Sequence, residues 1–201
     1  MKKIILIGAG GHAKSTIEII NKLNKFIIIG LIDKKKIGSF YDFRILGDDK
    51  YLEKINKKKD LYFLVTVGQI KDNTVRSDIF SNLKKKKFKI ATIIAKDAIV
   101  SNKSQINEGT VIFNNVVING SSSIGSNTII NTSAIIEHDV KIGNNTHIST
   151  GVIINGDVTV GSNTFIGSGT IIKNGVRIGD NCFIGLGSII KKDIKSGKVI
   201  K

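Results

Sequence analysis

The pattern of apolar and polar positions changes character once along this chain. Through residue 93 the apolar runs vary in length and spacing. From Ile94 through Lys195 they fall into a six-residue register. The first position of each hexapeptide is Ile or Val without exception, from Ile94, Val100 and Ile106 to Ile178, Ile184 and Ile190. The fifth position is almost always small: Ala98, Ser104, Thr110, Ser122, Thr128 and, further on, Cys182 and Ser188. Gly often follows the apolar position, as at Ile124-Gly125, Ile142-Gly143, Ile166-Gly167 and Ile178-Gly179.

β-Branched residues favour extended backbone, and Gly, Asn, Asp and Ser tolerate corner conformations. Each hexapeptide therefore predicts a short strand and a bend. Three make an 18-residue triangular coil in which identical positions stack about 4.8 Å apart. The Ile columns fill the axis and the small residues fit the corners. Seventeen hexapeptides build between five and six coils of a parallel β-helix. Cys182 falls in the small-residue column and reads as core. The period leaves the handedness of the coil open.

The first half predicts a different architecture. KKIILI (2–7) reads as a buried strand, and GAGGHAK (8–14) as a Gly-rich turn opening a helix that runs to about Leu23. Phe26 to Ile32 is a second strand, ending in Asp33, and Leu61 to Val67 a third, ending in Gly68. This order predicts half of a doubly wound α/β unit, with ligands at the C-terminal strand ends. The glycines let the backbone approach a phosphate at a helix N-terminus. The expected domains are a small half-Rossmann-like α/β unit over 1–93 and an all-β parallel helix over 94–201. Gly8-x-Gly10-x-x-Ala13 fits a dinucleotide fingerprint, with Asp33 near the position of a ribose-binding acid. The segment is too short for a full dinucleotide fold, so the nucleotide moiety of a larger substrate is the better expectation.

Charge sharpens this division. The net charge is +15, and residues 1–93 carry 21 Lys+Arg against 9 Asp+Glu. The runs Lys34-Lys35-Lys36, Lys57-Lys58-Lys59 and Lys84 to Lys87 are Lys rather than Arg, with few aromatics among them. That argues against nucleic acid as a partner. A solvated surface with a modest pull on an anionic substrate is expected instead. The single Cys excludes a disulfide framework and suits a reducing cytoplasm. No apolar run approaches the ~20 residues that membrane insertion needs, the apolar stretch at the N-terminus is too short for a signal peptide, and no metal-ligand cluster is evident.

The chain holds three histidines: His12 after the glycines, His138 in Ile136-Glu137-His138-Asp139, and His147 in Asn145-Thr146-His147-Ile148. The carboxylates beside His138 could orient the imidazole and raise its basicity, as a general base requires. Stacking at 18 residues places Gly156, Asn174 and Lys192 in one column above His138. A Gly amide one coil above a base could stabilise a developing oxyanion. His147 lies half a coil from His138, on the opposite side of the prism. If both serve one site, they come from different subunits.

A GxGGH-type turn joined to a hexapeptide helix resembles the sugar acetyltransferases of the sialic acid and bacillosamine pathways. The resemblance spans residues 3 to about 195. It is sharpest in GAGGH (8–12), LID (31–33), VGQIKDNTVR (67–76) and NTSAIIEHDVKIGNNTHIS (131–149). It implies a left-handed helix, a homotrimer with interfacial sites, acetyl-CoA as co-substrate, and an N-terminal unit that binds a nucleotide-linked amino sugar. It also implies catalysis by His138 with Asp139 or Glu137. The expected acetyl-CoA contacts are His147, Gly156, Asn174, Lys192 and Asn131. Gly10, Gly11, His12, Asp33, Lys34, Gly68, Asn73 and Arg76 are the expected substrate contacts, with Lys34 or Arg76 meeting the diphosphate. The reaction implied is N-acetylation at the 4-amino group of a UDP- or dTDP-linked 4-amino-4,6-dideoxy sugar. The alternative is O-acetylation of sialic acid or a related sugar. The chain departs from the family pattern in lacking a Pro before Ala98 and the usual Gly-x-Pro-Ala tail.

Overall fold

The computed structural model describes residues 1–55, 60–70 and 72–201, so the Lys57-Lys58-Lys59 run lies outside the described residues. Two compact units are present. One comprises residues 1–68 and 74–91, the other residues 69–73 and 92–201. Segment 69–73, read from sequence as part of the first domain, therefore packs with the second unit.

The first unit is built from β1 (Lys2–Ile7), α1 (Gly11–Leu23), β2 (Phe26–Ile32), β3 (Ser39–Phe40), β4 (Phe43–Gly47), α2 (Tyr51–Lys54), β5 (Leu61–Val65), α3 (Thr74–Lys85) and β6 (Lys89–Ile90). Its sheet runs in the order β3-β4-β2-β1-β5-β6, parallel except for the β3–β4 pair. The run KKIILI forms the central strand because its last four residues are buried. α1 buries Ala13, Ile17 and Ile20, one face at helical spacing, and stops at Asn24, a left-handed C-cap. Leu83 and Phe88 pack on Phe63, Val65, Ile5 and Ile7. Each such fully buried side chain contributes about 1.5–3 kcal/mol. Ile7 is in register with both Ile32 and Val65, so the C-terminal ends of β1, β2 and β5 open side by side.

The second unit is a triangular prism of three all-parallel sheets. The first face carries seven strands, from Ile93–Ile94 to Val199–Ile200. The second carries six, from Ile99–Val100 to Ile189–Ile190, and the third five, from Gln105–Ile106 to Arg177–Ile178. Partners are 18 residues apart, as in Val111↔Ile129↔His147↔Phe165↔Phe183. The first hexapeptide positions point inward: Ile112, Ile130, Ile148, Ile166 and Ile184 are wholly buried. At every sixth residue from Gly109 to Gly187 the backbone has positive φ, and Gly, Asn, Asp or Ser occupies each of these corners. Gly125, Gly143 and Gly161 meet the backbone of the next coil so closely that a Cβ would lie 2.5 Å from it.

A polar ladder runs inside one corner. Thr110, Thr128, Thr146 and Thr164 are buried, and each donates its hydroxyl to the carbonyl of Gly125, Gly143, Gly161 or Gly179 at 2.7–2.9 Å. Cys182 is the next rung, buried, with its thiol 3.3 Å from the Lys195 carbonyl.

The period breaks after Ile190. Ile194 bridges to Ile178, and Val199–Ile200 pairs with Phe183–Ile184, both at 16 residues rather than 18. The sequence reading carried the hexapeptide register through Lys195 with Ile194 in a fifth position. Its pairing instead makes Ile194 the successor of Ile178 in the inward column, two residues early.

The outward positions of the second face form an apolar stripe: Ile99, Val117, Ile135, Ile153, Ile171 and Ile189 lie in one register. Ile99 is 69% exposed, Ile171 40% and Ile189 65%.

Candidate active site

His138 occupies the corner between the strands Ile135–Ile136 and Lys141–Ile142. Asp139 holds the left-handed corner position, at φ 62°. This conformation swings its carboxylate back onto the preceding side chain, with Oδ2 2.8 Å from His138 Nδ1. A carboxylate only accepts, so Nδ1 carries the proton and Nε2 presents its lone pair outward. The imidazole is 64% exposed. Its pKa is raised above the ordinary 6.5, chiefly by the bond to Asp139; slight desolvation opposes this, and the charges of Asp139, Glu137 and Asp157 add to it. Glu137 acts through charge alone, because its carboxylate accepts from Asn119 Nδ2 at 2.8 Å.

Gly156 lies directly over the ring. A Cβ built there would stand 2.6 Å from His138 Cε1 and 2.7 Å from Nε2. The column expected from the 18-residue spacing is thus present at its first step, and only Gly leaves room for the imidazole. Asn174 is exposed one coil above. Lys192 is also exposed, but it falls in the turn where the period shortens, so its place in the column is not the one that 18-residue spacing assigns.

His147 sits elsewhere on the prism, on the first face, and is packed rather than open, with 7% exposure. Nδ1 donates to the Gln69 carbonyl, and Nε2 lies 3.4 Å from Asn131 Nδ2. Its ring meets Phe165 edge-on at 5.2 Å, and Phe165 stacks on Phe183 at 5.2 Å. Half-buried Asn131 is the more accessible of the pair. Asn73 joins this side of the prism, donating to Asn163 Oδ1 at 2.9 Å, rather than the strand-end cluster for which the sequence proposed it.

At the strand ends of the first unit, Gly8 is required. Its φ is 107°, and a Cβ would lie 2.5 Å from Val67. Gly10 and Gly11 have open space where a Cβ would stand, so the N-terminus of α1 is unobstructed. Gly68 adjoins the side chain of His12. Asp33 ties the turn together: Oδ2 accepts from Ala9 N at 2.7 Å, and Oδ1 from Lys35 N and Lys36 N at 2.9 and 3.0 Å. Burial opposes its ionisation. These three bonds and the Lys36 charge outweigh that and hold its pKa below the model value.

Two expectations are corrected. Arg76 is 1% exposed, with Nη1 donating to the Val65 and Val67 carbonyls at 2.9 and 2.8 Å. Burial lowers its pKa to about 9. It braces the end of β5 and is not presented to a diphosphate. Lys34 is exposed, while Lys36, not singled out from sequence, bonds the Ala9 carbonyl and lies 4.2 Å above the Phe40 ring. Lys14 flanks the same ring at 5.9 Å. The signal for this pair was present only as lysines near the glycine turn and the β2 end; the Phe40 hairpin that gathers them is not legible as a motif.

Among the described residues no group of three or more His, Cys, Asp and Glu is placed to hold a metal ion.

Sequence and fold comparisons place these features in a class. Residues 3–83 match the PglD N-terminal domain, and residues 121–156 and 157–192 match the bacterial transferase hexapeptide of six repeats. The chain belongs to the hexapeptide-repeat sugar acetyltransferases with a PglD-type N-terminal domain. Among solved structures, it is similar to the acetyltransferase domain of PglB from Neisseria gonorrhoeae. Identity is 29%, the TM-score is 0.93, and 99% of this chain and 96% of that one are covered. The same domain is known in complex with acetyl coenzyme A. PerB from Caulobacter crescentus, in complex with CoA and GDP-perosamine, is 27% identical with a TM-score of 0.89, over 99% of this chain and 93% of that one. None of the curated proteins is detectably similar in sequence.

Proposed function

We propose that this acetyltransferase moves the acetyl group of acetyl-CoA onto the 4-amino group of a nucleotide-linked 4-amino-4,6-dideoxy sugar. The observation that carries the reading is the His138–Asp139 pair, with Nε2 facing outward beneath Gly156. The relatives support the substrate class: one is known with acetyl-CoA, another with CoA and a nucleotide-linked amino sugar.

In this scheme the sugar nitrogen attacks the thioester carbonyl carbon and its proton passes to His138 Nε2. The Gly156 N–H donates to the oxyanion. The C–S bond then breaks, and the imidazolium returns the proton to the departing CoA thiolate. The pantetheine arm follows the column toward Asn174. Asp139 keeps the imidazole in the reactive tautomer and stabilises its cation. Gly10, Gly11, His12, Asp33 and Gly68, with Lys36, Phe40 and Lys14, form the nucleotide-binding end.

The working assembly is a homotrimer. The exposed Ile stripe of the second face would be buried about a common axis, and the His138 corner follows that face directly in the chain. Asn131, steadied by His147, would contribute from the neighbouring protomer. Mixed trimers of His138→Ala and Asn131→Ala chains should recover activity; verified mixed trimers without recovery argue against a shared site.

The direct test is CoA thiol release with a panel of UDP-, dTDP- and GDP-linked 4-amino-4,6-dideoxyhexoses and free sialic acid. Turnover on one amino-sugar nucleotide supports the reading and identifies the base. Turnover on sialic acid alone replaces it with O-acetylation.

A further inference from the structure

The edge of the first unit opposite the glycine turn gathers lysines. In a parallel α/β unit the helix C-termini and the strand N-termini share one edge. Here Lys2 and Lys3 open β1, Lys22 closes α1, Lys25 precedes β2, Lys84 to Lys87 end α3 and its following turn, and Lys89 opens β6. All but half-buried Lys86 are exposed, and Asp60 is an acid set among them ahead of β5.

Aromatic and aliphatic side chains stand between these ammonium groups. Lys2 and Lys89 place Nζ 5.0 and 5.8 Å from the Tyr62 ring centroid. Lys25 lies 6.0 Å from Phe26, and Phe26 meets Tyr62 edge-on at 5.6 Å. Ile27, in register with Lys3, is 43% exposed.

This charge does not serve the nucleotide-binding end. A six-residue strand separates the two edges by roughly 20 Å, beyond the Debye length of about 8 Å at physiological salt. Concentrating like charge at one edge is unfavourable without an anionic partner. The cations are lysines, compact ammonium charges without the bidentate fork that favours specific phosphate recognition. They surround a Tyr, a residue suited to a membrane–water interface.

We propose that this edge docks on an anionic phospholipid surface. The contact is peripheral: no helix among the described residues is long and apolar enough to cross a membrane. The lysines supply electrostatic attraction, as juxtamembrane polybasic clusters do, while Tyr62 and Ile27 meet the headgroup layer. The proposal is independent of the reaction assigned above.

The test is co-sedimentation of the full chain with phosphatidylcholine vesicles, with and without 30 mol% phosphatidylserine. The wild type should partition onto the anionic vesicles alone and lose binding in 0.5 M salt. The triple variant Lys2→Gln, Lys25→Gln, Lys85→Gln should bind roughly a hundredfold more weakly with thiol release unchanged. Equal binding to both vesicle types, binding to neither, or a triple variant that binds like wild type overturns the proposal. So does a short RNA duplex that binds more tightly than the vesicles and displaces them.

Discussion

Replacing Gly156 by Ala separates the position of the base from every other part of the proposed chemistry. The new methyl carbon would stand 2.6 Å from Cε1, 2.7 Å from Nε2 and 3.2 Å from Nδ1 of His138. Carbon atoms in comfortable contact are about 3.5–4.0 Å apart, so the imidazole must retreat by about 1 Å. Gly156 itself does not have the positive φ that would strain an Ala, and the ring is on the surface, so the fold has no need to yield. The retreat breaks the 2.8 Å bond to Asp139 and moves Nε2 off the line to the nucleophile. A misplacement of this size costs about 10²-fold in rate. The amide N–H at 156 survives the substitution, so oxyanion stabilisation is not removed with it. In the thiol-release assay kcat/KM should fall about a hundredfold, with the melting temperature within about 2 °C of wild type. The pH profile adds a second readout. The base works unprotonated, and Asp139 raises its pKa. Losing that bond therefore moves the acid limb of kcat to lower pH. Wild-type kcat/KM with an unmoved acid limb would refute the placement of His138 beneath Gly156 as the source of the base's alignment.

Other substitutions test the remaining assignments. His138→Ala should lower kcat/KM by about 10²–10⁴-fold, whereas Cys182→Ala, buried in the threonine ladder, should retain turnover; the reverse pattern rejects direct attack in favour of an acyl-enzyme. Asp139→Asn keeps a residue tolerant of the left-handed corner while removing the charge, so its acid limb should shift to lower pH at constant melting temperature. Arg76→Leu should destabilise the chain by about 1–3 kcal/mol, because the Val65 and Val67 carbonyls lose their donor. Measured on the folded fraction by denaturant titration and initial rates, its KM for the sugar nucleotide should change little. Lys36→Ala combined with Phe40→Ala should raise that KM with little effect on kcat; an unchanged KM removes this pair from the nucleotide end.

The repeat made the prism legible because one requirement recurs at every coil: a β-branched residue inward, a small residue at the corner, a corner-tolerant residue before it. Position in the period therefore predicted Gly156 above His138 and the inward placement of Cys182. Legibility ended where the period did. The turn after Ile190 is two residues short, and nothing local in Lys191-Lys192-Asp193 announces it, so Lys192 left its expected column. In the first unit the strands and the glycine turn were readable from apolar runs, but side-chain direction was not. Arg76 and Lys34 were both cations near strand ends; one turned inward to pair carbonyls, and the other stayed in solvent. His147 carried no sign that Gln69, 78 residues earlier, would cover it. The apolar stripe of the second face was masked because its residues are also good strand formers.

The corners of the prism carry a consequence for how such a scaffold acquires chemistry. A left-handed corner admits only a few residue types comfortably, and Asp is one of them, so the acid of the His138–Asp139 pair occupies a site whose conformation already favours it. A single histidine one position earlier, and a glycine one turn above to clear its ring, complete the unit. Every corner from Gly109 to Gly187 is in this sense an equivalent socket, and moving the dyad up or down the prism requires few changes and no new backbone. The solenoid thereby offers its lineage a ruler: the distance between the nucleotide-binding end and the reacting atom can be reset in steps of one coil, about 4.8 Å, to suit acceptors of different length.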